Sequence, residues 1–187
     1  MRKINELAKA NKHDEVIREA TAIRDVYPDY VEVGSVYEFL ADAYLAKSDK
    51  PHAIEELARY SQIGGRDPGL IKKLATLLEE AGRKPEAAAA LTRLNWIYPV
   101  DEELHRRLGE LDMGAAKAAD AAVEFRAAIA MKPLDAATAH YNLARALRAS
   151  SKEDEARDEL LLALETAPGF RPAQKMLLEL SKEEIKK

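Results

Sequence analysis

The chain has 187 residues, 33% of them charged and 6% aromatic, with a formal net charge of −4 and a pI near 5.7. That balance leaves no global electrostatic footprint for nucleic acid, and the absence of cysteine removes any disulfide framework or thiolate metal site. No apolar run approaches the roughly 18 residues of a membrane span, and Met1 to Ala20 alternates charged with apolar positions, unlike the apolar core of a secretion signal. A soluble chain of cytosol or periplasm is expected. The mixture rich in Ala, Leu, Glu, Lys and Arg is that of an all-helical protein.

Taken in chain order, the hydrophobic spacing predicts helices near 2–9 and 12–26, carrying Ile4, Leu7, Val16, Ala20 and Ile23 and closed by Pro28. Helices near 32–46 and 51–63 follow, with Leu40, Ala41, Tyr44, Ala53, Leu57 and Tyr60; here the closing proline is delayed to Pro68 by "GGRDPGL". The pair near 69–81 and 85–97 repeats the pattern as Leu74, Ala75, Leu78, Ala87, Leu91, Leu94 and Pro99. The pair near 102–113 and 117–131 repeats it as Leu108, Gly109, Ala121, Phe125, Ala128 and Pro133, with Asp112 at an apolar position and "MGAAKAAD" as a poor turn whose clearest breaker is Gly114. The pair near 136–149 and 153–166 gives Leu143, Ala144, Leu147, Ala156, Leu160, Ala163 and Pro168. A last helix near 171–184 turns polar after Leu180 and reads as the solvating end of a stack.

Pro99, Pro133 and Pro168 stand 34 and 35 residues apart, a period that marks a repeat architecture. Proline cannot continue a helix, so each ends the second helix of its pair. Small residues such as Ala144 and Ala156 stand where paired helices must approach, and Leu147 and Leu160 fill the seam. The pattern resembles the tetratricopeptide repeat (TPR) family, in which about 34 residues form a helix–turn–helix with a small residue at the crossing and a closing proline. The resemblance implies an all-α, right-handed α-solenoid: one array over 1–187, with a truncated repeat (1–30), full repeats (31–68, 69–99, 100–133, 134–168), and a capping helix with a polar tail (169–187). The first helix pair lacks a cap, and its apolar residues Ile4, Leu7, Val16 and Ile23 suggest a possible homo-oligomer through the N-terminal end.

The search for chemistry is negative. His105 and His140 precede the key Leu of their repeats, where the family often has Trp, and read as packing or hydrogen-bonding residues; His13 and His52 read as solvated or capping. No paired-His motif, acidic metal loop, G-x-S-x-G elbow or phosphate loop is present. No catalytic residue, cofactor or metal is expected. Trp96 and Tyr98 are expected to pack between repeats, and Phe170 to pack the last helix onto the last repeat.

What remains is surface. In TPR proteins the first helices line a concave groove, which by this resemblance displays Glu38, Asp42 and Leu45, then Lys72, Thr76 and Glu79. It continues with Arg106, Glu110 and Met113, then Tyr141, Arg145 and Arg148. The lysine–asparagine clamp by which some TPR domains hold the C-terminal carboxylate of chaperones is missing, since only Lys72 fits; Thr76, Arg107, Thr138 and Asn142 depart from it. The expected function is a non-enzymatic scaffold that binds a protein or peptide partner of acidic or mixed charge, with no nucleic acid and no membrane. A looser likeness of "NWIYPVDEELHRRLGEL" and "FRPAQKMLLEL" to C-terminal TPR segments of bacterial metallopeptidases implies the alternative of an accessory segment of a larger enzyme.

Overall fold

The residue spacing translates into helices almost one for one. A computed structural model describes residues 1–185, with side chains through Lys182, so the end of the predicted polar tail lies outside the described residues. It contains α1 (Arg2–Lys9), α2 (His13–Val26), α3 (Val36–Ala46), α4 (Lys50–Gln62), α5 (Pro68–Glu80), α6 (Lys84–Ile97), α7 (Glu102–Gly114), α8 (Ala118–Ala130), α9 (Ala136–Ala149), α10 (Glu153–Thr166) and α11 (Arg171–Ile185), with no strand among the described residues. The chain divides into two compact units, Met1–Ile97 with α1 to α6 and Tyr98–Lys187 with α7 to α11. Within each unit, helices adjacent in sequence pack on one another.

Five hairpin turns share one geometry. Asn11, Ser48, Gly82, Ala116 and Ser151 each adopt a left-handed φ of 55 to 73°. The next residue's N–H then bonds five residues back: Lys12 to Leu7, Asp49 to Tyr44, Arg83 to Leu78, Lys117 to Asp112 and Lys152 to Leu147, at 2.8–3.0 Å. This is the Schellman closure, which satisfies carbonyls that the helix end would otherwise orphan. The "MGAAKAAD" turn follows it too, with Ala116 rather than Gly114 as the left-handed residue; Gly114 is the last residue of α7. Alanine there carries a strain of about 1–2 kcal/mol that glycine would not.

Aspartates start several first helices. Asp67, Asp101 and Asp135 recur at an interval of 34 residues, and each accepts the N–H three residues on (Leu70, Leu104, Thr138) at 3.0 Å. Pro68 therefore opens α5 instead of closing α4, correcting its reading as a delayed stop. The "GG" before it has a local cause: a Cβ on Gly65 would stand 2.3 Å from the Tyr60 ring, whose hydroxyl accepts the Asp67 N–H.

The core of unit 1 contains Leu40, Leu57, Ile71, Leu91 and Leu94, and that of unit 2 Leu104, Phe125, Leu143, Leu147 and Leu160, all at most 2% exposed. Ile4 and Val16 are also fully buried by packing among α1, α2 and α3, and Leu7 and Ile23 are half-buried. Packing in the N-terminal helices thus covers Ile4 and Val16, while Leu7 and Ile23 stay partly exposed. Arg24 on α2 pairs with buried Glu56 on α4, whose other carboxylate oxygen is buried without a partner; burial pushes the Glu56 carboxyl up in spite of Arg24.

Two positions define testable packing limits. A Cβ on Gly109 would lie 2.6 Å from the buried Phe125 ring, so Gly109→Ala is expected to cost about 1–3 kcal/mol by overpacking. Phe125→Leu in the same chain, which recreates the Ala/Leu pair of the neighbouring repeats, is expected to recover most of that loss in a urea double-mutant cycle; additive costs would refute the pairing. Asp112 stands where the other full repeats have Tyr44, Leu78 and Leu147, and burial raises its carboxyl above the ordinary value. The folded chain therefore penalises the charged form: fully above the raised pKa, and not at all below about pH 4, the unfolded value. Asp112→Leu is expected to stabilise by about 1 kcal/mol at pH 7, with the gain shrinking as pH falls through that window in thermal melts.

Candidate functional site

In unit 1, the first-helix residues named from the sequence lie on α3 and α5. Asp42 is exposed and pairs with Lys73 of α5 at 2.7 Å; Glu38 and Lys72 are half-buried. Thr76 donates its hydroxyl to the Lys72 carbonyl at 3.0 Å, a bond within one helix turn. Lys73, the neighbour of the residue singled out, thus also reaches α3.

Unit 2 carries the remaining named residues on α7 and α9. Arg145 of α9 donates to Glu110 of α7 at 3.1 Å and to buried Asn142 at 3.0 Å, while Arg148 reaches Glu179 of α11 at 2.9 Å. Arg148 holds the Glu179 carboxyl below the usual carboxylate range. Arg145 and Arg148, together with Glu110, are therefore committed to staples between successive first helices. Arg106 is different: it is exposed and makes no ion pair with any described residue.

Arg106 borders a cavity of about 440 Å³ floored by Phe125, Ala128 and Ala139, edged by Pro133 and the fully exposed Leu134, and rimmed by Glu102, Asp135, Thr138 and Asn142. Its charge is mixed, one arginine against two carboxylates. A second depression of about 420 Å³ lies between α9 and α11, lined by Tyr141, Pro172 and Met176 with Arg171, Lys175 and Glu179 around it. Tyr141 is braced edge-on by Phe170 at 5.5 Å, and Phe170 packs on the core cluster as expected for a residue seating the last helix. Arg171 and Lys175, which sequence reasoning did not single out, sit one turn apart on α11 and make no ion pair with any described residue. Their signal was present in "RPAQK", read only as a solvated cap.

The histidines hold structure. His105 bonds Glu124 of α8 at 2.6 Å through Nδ1 and the Pro99 carbonyl at 2.8 Å through Nε2; His140 bonds Glu159 of α10 at 2.6 Å. Both pairs span 19 residues and tie the two helices of one repeat together. His52 meets its capping Asp49 and stacks on Tyr44. No cluster of three or more His, Asp or Glu arranged for a metal occurs among the described residues, and no described helix is long and apolar enough to cross a membrane. Trp96 and Tyr98 depart from expectation, at 87% and 48% exposed. Trp96 follows buried Leu94 by two residues, about 200° round α6, and so faces away from the core.

No family model matches the chain, and no curated protein matches it. Solved structures do. YrrB, a TPR protein with an unusual peptide-binding site, superposes with a TM-score of 0.67 at 18% identity, over 92% of this chain and 87% of that one. MamA from Desulfovibrio magneticus RS-1 gives 0.66 at 17%, covering 80% of this chain and 84% of that one. The first TPR domain of Spaghetti (RPAP3), bound to the HSP90 peptide SRMEEVD, gives 0.56 at 21%, over 62% and 91%. Helix pairs closed by left-handed turns, a recurring small residue at their crossing, and these superpositions together establish that the chain has the tetratricopeptide-repeat fold.

Proposed function

We propose that this chain is a non-enzymatic interaction scaffold that holds an extended segment of a partner protein against the first-helix face of its repeats. The observation that carries this reading is the pair of depressions along α7, α9 and α11, one setting exposed Arg106 and the other exposed Arg171 and Lys175 beside an apolar floor. Such a surface has the composition of a recognition site, apolar anchors with a few polar groups that fix orientation, and no nucleophile–base arrangement accompanies it. The peptide-binding site of YrrB and the peptide bound to RPAP3 support the reading by analogy of fold.

Magnitudes bound the affinity. One or two buried apolar anchors contribute about 1.5–3 kcal/mol each, and partly screened charges about 0–1 kcal/mol each. After the cost of association, micromolar-class binding follows, about −8 kcal/mol. Because Arg145 and Arg148 already serve Glu110 and Glu179, the charge that selects a partner in the larger cavity is Arg106, and the two carboxylates opposite it favour a segment of mixed charge.

Panning a random dodecapeptide display library against the whole chain tests the reading. Selected peptides are expected to bind with micromolar affinity by calorimetry and to lose about three- to tenfold on Arg106→Glu. Loss on Leu134→Asp is expected to be comparable, and neither exposed residue should alter the thermal melt. A panning that yields no binder, or binders indifferent to both substitutions, would overturn the assignment.

A further inference from the structure

The segment joining α2 to α3 is the least economical part of unit 1. It runs nine residues, 27–35, whereas the connections after α4, α8 and α10 need four or five. Hydrogen bonding of the Tyr37 hydroxyl to the Pro28 carbonyl, together with the half-burial of Val31, tethers this segment. The remaining apolar side chains point outward: Val26 is 67% exposed, Tyr27 64%, Tyr30 48% and Val33 91%. Single exposed apolar residues are ordinary, but here four fall within eight residues. The same stretch, "DVYPDYVEV", carries Asp25, Asp29 and Glu32 and no cation. Asp25 is held by Arg24, while Asp29 and Glu32 are exposed and make no ion pair with any described residue.

The α9–α11 depression of unit 2 has the opposite character. Arg171 and Lys175 stand exposed beside an apolar floor of Tyr141, Pro172 and Met176, and the carboxylate on its rim, Glu179, is already held by Arg148, with Lys175 adding attraction. The larger cavity on Arg106 is a poorer match, because Glu102 and Asp135 on its rim repel an acidic segment. We infer that the acidic–aromatic segment 25–33 of one copy docks on the Arg171/Lys175 groove of a second copy, so that the chain assembles head to tail. This rests on the reading of the first-helix face as a binding surface and names its occupant. Donor and acceptor patches are different surfaces, so each contact joins unlike faces of two copies. Opposite charges with aromatic anchors also make it salt-sensitive.

Sedimentation equilibrium of the whole chain tests the inference. Average mass is expected to rise above 20.8 kDa with concentration at low salt and to fall back toward it in about 0.5 M salt. Asp29→Lys/Glu32→Lys and Arg171→Glu/Lys175→Glu alter only exposed side chains, and each variant alone is expected to associate at least tenfold more weakly. Mixed together, the two variants retain one intact loop and one intact groove, so one-to-one complexes are expected that do not extend further. A wild-type mass that stays at the monomer up to about millimolar concentration, or association indifferent to both double substitutions, would overturn the inference. If Arg106-dependent capture of library peptides survives in that monomer, only the self-docking falls; if it is absent too, the binding-surface reading falls with it.

Discussion

Everything in this protein depends on how closely two paired helices can approach. Ten fully buried residues set that distance, in five pairs each 16 residues apart: Ile4/Ala20, Ala41/Leu57, Ala75/Leu91, Gly109/Phe125 and Ala144/Leu160. One member is always small, and the other fills the space it leaves. Where the second helix brings the bulk of Phe125, the first gives up even a methyl group, and in the first pair the roles are inverted, with Ile4 large and Ala20 small. Close packing tolerates such exchange when summed volume is kept and penalises it otherwise. The repeat is therefore a constraint on pairs of volumes rather than on individual residue types.

That constraint explains why so much of the fold was legible. Helix positions followed from apolar spacing, and the ends of α1, α9 and α10 from the residues that break the pattern. Two features were not legible, for physical reasons. A left-handed turn residue announces itself as Gly82 or Asn11 but not as Ala116, where closure of the helix end imposes a conformation alanine does not favour. A proline after a glycine pair reads equally as a stop or a start; the carboxylate of Asp67, one residue earlier, decides for a start.

The candidate site was half legible. The family resemblance assigned Arg106, Tyr141, Arg145 and Arg148 to first helices, and α7 and α9 of unit 2 carry them. It said nothing of which charges would be spent within the protein, because Arg145–Glu110 and Arg148–Glu179 join residues 35 and 31 positions apart. Sequence spacing finds a face; only packing reveals which cations on it remain unneutralised. Trp96 carries the converse lesson, since a large aromatic beside a helix stop invites a packing role, while its angle from Leu94 turns it to solvent.

The five left-handed turns have a kinetic consequence. Each closes on its own backbone, the buried pairs lie 16 residues apart, and the histidine–glutamate ties 19. Contacts this local incur little loop-closure entropy, the condition under which chains fold in microseconds to milliseconds. No single pair is indispensable as a nucleus, so folding starts in whichever hairpin closes first and spreads to its neighbours. Opening runs the same route in reverse, and backbone amides of terminal helices such as α1 exchange with solvent before those of interior helices such as α8.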